Sequence, residues 1–184
     1  MYELSLNIMD IAQNSIRANA KLVTIDISVD EPGDMLGIVI GDDGDGMSEE
    51  VRKAVSDPFF TTRTTRKVGL GLPYYEMVAK MCGGGFELQS APGSGTRVSA
   101  SFGISHIDRA PLGDMGQTMA LLAGANPDMD FLYTLRRGDE LFTFDTREIK
   151  ELLGGVGIDT PEIVVYMQSY INENSESITG GIAL

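Results

Sequence analysis

Positions 4, 8, 11, 12, 15 and 16 (Leu, Ile, Ile, Ala, Ser, Ile) recur at steps of three and four, the stripe of an amphipathic helix whose other face carries Asp10, Asn14 and Arg17. Two strands are expected next. Residues 23–29 alternate as Val, Thr, Ile, Asp, Ile, Ser, Val, and residues 36–40 form a short, nearly continuous apolar run. The acidic stretch 30–34, with its Pro and Gly, turns the chain between them. Ser48 caps a further helix, with Glu49 and Glu50 in its first turn, and Asp57-Pro58 stops it. A helix over 72–81 ends in the triple glycine 83–85. Strands over 86–90 and 97–102 follow, joined by Ala91-Pro92-Gly93-Ser94-Gly95. Helix, strand, strand, helix, loop, helix, strand, strand is the order of an α+β layer, helices covering one face of a mixed sheet.

After Phe102 the character changes. Residues 104–130 are rich in Gly, Pro and Met and offer one short helix near 115–123, so a boundary is placed at 103 and this stretch is read as a linker. Residues 131–184 are read as a small α+β appendage. Two strands in 131–144 surround a turn near Gly138, a capped helix runs from Thr146 to Leu153, and another runs from Thr160-Pro161 to about Asn172, with fraying from Asn174. No internal repeat is visible.

Composition narrows the classes. A chain of 184 residues with 42% hydrophobic content and mean hydropathy of -0.01 has room for one well-buried core or for one domain of about 100 residues carrying a smaller appendage, and the second case is the reading here. No apolar run approaches the roughly 20 residues that cross a bilayer, and the first ten residues carry no export signal, so a cytoplasmic protein without membrane attachment is expected. The single Cys82 excludes an internal disulfide and a cysteine metal cluster. A formal net charge of -13 disfavours direct nucleic-acid binding, which rests on neutralising phosphates; it disfavours acidic partners and permits basic ones.

Four motifs then appear in fixed order. Asp10-Ile11-Ala12-Gln13-Asn14-Ser15-Ile16-Arg17-Ala18 resembles the asparagine box of the ATPase family that groups histidine kinases, DNA gyrase, Hsp90 and MutL. Asp42-Asp43-Gly44-Asp45-Gly46-Met47 is similar to its first glycine box, Asp57-Pro58-Phe59-Phe60-Thr61-Thr62 to its phenylalanine box, and Gly69-Leu70-Gly71-Leu72 to its second glycine box. Gly93-Ser94-Gly95-Thr96 matches the last turn. The resemblance covers about residues 4–103. It implies a two-layer α/β sandwich of the Bergerat type, binding ATP with Mg²⁺. It also implies nucleotide contacts from Asn14, Arg17, Asp42, Gly44, Gly46, Met47, Arg63, Lys67, Gly69, Leu70, Gly71, Leu72 and Thr96.

The residues have physical reasons of their own. Asn14 offers a carbonyl oxygen to a hard cation such as Mg²⁺, and Arg17 on the same face can reach a phosphate; the alternative is a solvated polar helix face. Asp42 follows a buried strand, and in the family the matching Asp accepts the adenine amino proton. Gly44 and Gly46 let the backbone turn with positive φ and approach the base. A calcium loop is disfavoured because the rest of its template is missing. Residues 61–68 form a polar cationic loop suited to a lid, short beside those of many relatives, in which Arg63, Arg66 and Lys67 lie nearest the phosphates. Gly69 and Gly71 precede a helix whose amides can cradle them.

Asp10 stands where relatives often carry a Glu general base; it either orients the attacking group or orders the Mg²⁺ shell. The single histidine lies in Ser105-His106-Ile107-Asp108-Arg109-Ala110-Pro111-Leu112, similar to the phosphoacceptor box of sensor kinases but placed after the ATPase region and without its helical hairpin. Asp108 or Arg109 could orient the ring. His106 is therefore either a phosphoacceptor or a structural hydrogen-bonder. Three functions stay open: a cytoplasmic signalling kinase acting on His106 or on a partner protein, an ATP-gated switch with weak or no ATPase activity, and a gyrase- or MutL-like motor, disfavoured for want of a transducer domain and a basic face. The tail is read as a docking or homodimerisation module.

Overall fold

Along β1 (Leu22–Asp30), Val23, Ile25, Ile27 and Val29 are buried while the residues between them are not, so one face of this strand meets a core and the other does not. The computed structural model describes residues 3–55, 71–180 and 184. β2 (Met35–Asp42) repeats the pattern with Leu36, Ile38 and Ile40, as does β4 (Thr96–Gly103) with Val98, Ala100 and Phe102. Together with β3 (Phe86–Ser90), β5 (Asp130–Arg137) and β6 (Glu140–Asp145) these strands form a six-stranded sheet in the order β3-β4-β2-β1-β5-β6. The β1–β5 pair is parallel and the other four are antiparallel. The sheet is mixed and the class is α+β.

The helices are α1 (Leu4–Arg17), α2 (Glu49–Ala54), α3 (Gly71–Met81), α4 (Met115–Ala125), α5 (Thr146–Leu153) and α6 (Pro161–Thr179). Leu4, Ile8, Ile11 and Ala12 of α1 and Tyr75 and Ala79 of α3 join the same core as the inward strand residues, together with Met119 of α4 and Met167 of α6. The end of α1 that carries Leu4 has no side-chain cap. Its first amides donate instead to the carbonyls of Pro111 and Leu112, at 2.9 and 2.8 Å. Ser48 caps α2 through its hydroxyl, which accepts from the Val51 amide.

Residues 104–184 meet the sheet directly. β5 pairs with β1 over eight positions, from Leu22↔Asp130 to Val29↔Arg137. The segment read as a linker holds α4, of which Met115, Met119, Ala120, Leu122 and Ala123 are buried. Asp114 joins α4 to α6: its carboxylate caps Gln117 and accepts from the side-chain amides of Gln168 and Asn172. Among the described residues the fraying expected from Asn174 is not seen up to Thr179, where α6 ends. Ile178 packs against the core and its carbonyl accepts from Arg137, before Gly180 closes the helix with φ of 61°. Among the described residues no helix is long and apolar enough to cross a membrane.

Candidate nucleotide site

Antiparallel pairing of β2 with β4 brings Asp42 opposite Thr96, and the C-terminal half of α1 passes beside them. Two backbone amides meet one carboxylate oxygen there: Asp42 Oδ1 accepts from Gly44 N at 2.9 Å and from Thr96 N at 3.1 Å. The other oxygen, Oδ2, accepts from Ser15 Oγ at 2.6 Å. Ser15 is 4% exposed. In the sequence it reads as one more member of the apolar stripe, yet a hydroxyl on a buried stripe signals a polar partner, and that was the available clue.

A second layer holds this arrangement. Ser90 Oγ accepts from Met47 N and donates to the Gly95 carbonyl, and it lies 3.0 Å from Thr96 Oγ1. Gly95 has φ of 74°, and a Cβ there would run into the Asp42 carbonyl, so only glycine lets this turn close on the strand end. The expectation of positive φ at both Gly44 and Gly46 is half right. Gly46 has φ of 67°, whereas Gly44 does not adopt the left-handed region and is small for another reason: a Cβ would press on the Ala18 carbonyl at 2.5 Å. The Asp45 amide donates to that same carbonyl at 2.7 Å, which fastens the glycine loop to the end of α1.

The three clustered acids diverge. Asp43 accepts from the amides of Lys21 and Leu22, and Asp45 accepts from Asn19. The Leu22 amide, followed by that of Lys21, holds the Asp43 carboxyl below its usual range against the opposing effect of burial. Among the described residues no group of three or more His, Cys, Asp or Glu could hold a metal. Mg²⁺ fits such a place when the protein supplies one oxygen and phosphates and water supply the rest. Asn14 Oδ1 is an oxygen of that kind, on a half-buried side chain of α1 and accepting from Arg17 at 3.0 Å. Asp10, one turn earlier, lies against the start of α3, where a Cβ on Gly71 would meet its carboxylate. Leu72 is half-buried against the core. Arg63, Lys67, Gly69 and Leu70, with the expected lid and phenylalanine box, lie outside the described residues.

His106 is not brought to this cluster. β4 separates them: Thr96 begins the strand beside Asp42, whereas Gly103 ends it opposite Met35, and eight residues of strand span about 24 Å. His106 Nδ1 accepts from the Asp108 amide at 3.2 Å, so the backbone of Asp108 orients the ring. The rest of its motif is structural. Ser105 bonds Asp34, Arg109 donates to the carbonyls of Ile104 and Ala110, and Pro111 and Leu112 cap α1.

The family model described as histidine kinase-, DNA gyrase B-, and HSP90-like ATPase matches residues 3–105. The chain is 29% identical over 109 residues to a putative sensor protein of Shewanella frigidimarina, a match covering 59% of this chain and 16% of that protein. It is 31% identical over 98 residues to the non-motile and phage-resistance protein of Caulobacter vibrioides (50% and 12%), and 32% identical over 97 residues to the sensor protein DegM of a Bacillus species (53% and 26%). The match thus spans about a quarter or less of each of these relatives' length. A crystal structure of the N-terminal domain of a DNA repair protein shares the fold, with TM-score 0.51 at 16% identity over 78% of this chain and 52% of that one.

Proposed function

Because this chain belongs to the family of histidine kinase-, DNA gyrase B- and HSP90-like ATPases, we propose that it binds ATP with Mg²⁺ and acts as a cytoplasmic signalling kinase on a partner protein. One observation carries the reading. Asp42 at the end of β2 keeps a single acceptor position free on a carboxylate otherwise saturated by Gly44, Thr96 and Ser15, which suits the one amino group of an adenine base. Further along α1, Asn14 would hold the metal through its side-chain oxygen, and Asp10, one turn earlier, would face the reacting phosphate. Bound Mg²⁺ supplies charge neutralisation for the phosphates.

In the transfer, the acceptor's nitrogen or oxygen forms a bond to the γ-phosphorus as the bond from that phosphorus to the β–γ bridging oxygen breaks. ADP leaves with that electron pair, and Asp10 takes the proton the acceptor gives up. Arg17 steadies phosphate oxygens as a charge-assisted donor. The acceptor belongs to a partner, since His106 sits the length of β4 away in the same molecule. The net charge of -13 favours a partner with a basic face.

Incubation with Mg²⁺ and γ-labelled ATP, alone and with candidate partners, tests this. Label passing to a partner, lost with Asn14→Asp or Asp10→Asn and kept with His106→Ala, is the expected result. Binding of ATP without transfer to any protein favours a second reading, an ATP-gated switch. That reading rests on the contact of Asp10 with the start of α3 and on Pro111 and Leu112, whose carbonyls cap the start of the same helix.

A further inference from the structure

A serine in the apolar stripe of α1 places a hydroxyl where every neighbour in the stripe, Ile8, Ile11 and Ala12, is hydrocarbon. Buried hydroxyls in such places are partnered, and this one is spent on a carboxylate at 2.6 Å, the short range of a charge-assisted bond. An ionised carboxylate has about four acceptor positions. Gly44 N and Thr96 N occupy both on Oδ1, and Ser15 occupies one on Oδ2. The remaining lone pair is on the oxygen that Ser15 itself holds.

We propose that Ser15 is a positioning residue that sets base selectivity: it pins Asp42 Oδ2 so that the free lone pair is aimed at the amino group of adenine. The proposal rests on the ATP-binding reading and adds to it a residue, one step along the helix from Asn14, whose backbone belongs to the metal-binding turn while its side chain serves the base. Removal of the hydroxyl reopens a second acceptor position on Oδ2 and frees the carboxylate to rotate its charge away from the base. A base with an amino group at position six loses a well-aimed bond. A base with a carbonyl there gained nothing from Oδ2 and loses nothing.

Calorimetric titration of the full chain with Mg²⁺–ATP and with Mg²⁺–ITP, in the wild type, Ser15→Ala and Ser15→Thr, tests this, with Tm measured on each. The expected result is about tenfold weaker ATP binding in Ser15→Ala with ITP binding unchanged, and recovery of ATP preference in Ser15→Thr, which keeps the hydroxyl. Equal loss for both nucleotides shows a structural role and overturns the proposal. Unchanged ATP binding in Ser15→Ala overturns it while leaving the nucleotide site intact. A wild type that binds neither nucleotide overturns the ATP-binding reading and this inference with it.

Discussion

Residues 4–103 and residues 104–184 share one sheet but are organised by different forces. In the first region the end of the sheet around Asp42 is built from directional bonds and backbone contacts: a carboxylate between two amides and a hydroxyl, a serine bridging two loops, glycines pressed against carbonyls. In the second region the interior is Phe131, Tyr133, Leu135, Phe142 and Phe144 under Met119, Met167 and Ile171, held mainly by burial of apolar surface. Directional bonds place atoms to a fraction of an ångström and add little net stability, whereas apolar packing supplies stability with less demand on precise placement. The first region is therefore suited to holding atoms in fixed positions and the second to keeping the sheet together.

That contrast is open to direct attack. The largest effect is expected from deleting residues 104–184, which strips β1 of its eight-residue partner strand and α1 of its cap; the remainder is expected to be insoluble, as read by the soluble fraction and circular dichroism. Soluble, folded residues 1–103 would show that the first region stands alone. Next, Phe131→Ala, at a side chain with no exposure, is expected to lower stability by about 3–5 kcal/mol in denaturant unfolding while ATP affinity of the folded fraction is retained. Asp42→Asn should do the reverse. Its remaining carbonyl oxygen still accepts from Gly44 and Thr96, and the Ser15 hydroxyl can turn to accept from the new amide, so Tm changes little. The free acceptor becomes a donor facing the base, and ATP binding falls by about a hundredfold, roughly 2.7 kcal/mol.

Two smaller effects sharpen the picture. Asp43→Ala removes the acceptor for two amides at the start of β1 and is expected to cost about 1 kcal/mol at neutral pH. Because the folded carboxyl titrates below its unfolded value of about 3.9, its contribution is complete above that value and is lost as pH falls through the lower folded one. The difference between wild type and variant should therefore shrink on acidification below about pH 4, as read from paired unfolding curves. Tyr75 is fully buried against Phe86 and Phe102, with a hydroxyl that has no hydrogen-bonding partner among the described residues; burial drives its pKa up. Tyr75→Phe is expected to raise Tm, by an amount corresponding to about 1 kcal/mol.

The amino-acid sequence by itself determined the run of elements, because helical and strand periodicity are local: the stripe at 4, 8, 11 and 12, the alternation over 23–29, the Ser48 cap and the glycine-bounded turns all read directly from neighbours in the chain. It also carried the spacing of the four motifs, and hence the family. The tertiary structure alone decided the pairings between distant segments. It placed Ser15 on Asp42, 27 residues away, and set β5 beside β1. It also put His106 at the opposite end of β4 from the site and showed that α6 continues to Thr179 because Ile178 finds the core. Periodicity states which face of an element avoids water; which partner that face or a buried hydroxyl then meets is a non-local choice, made by packing the whole sheet at once.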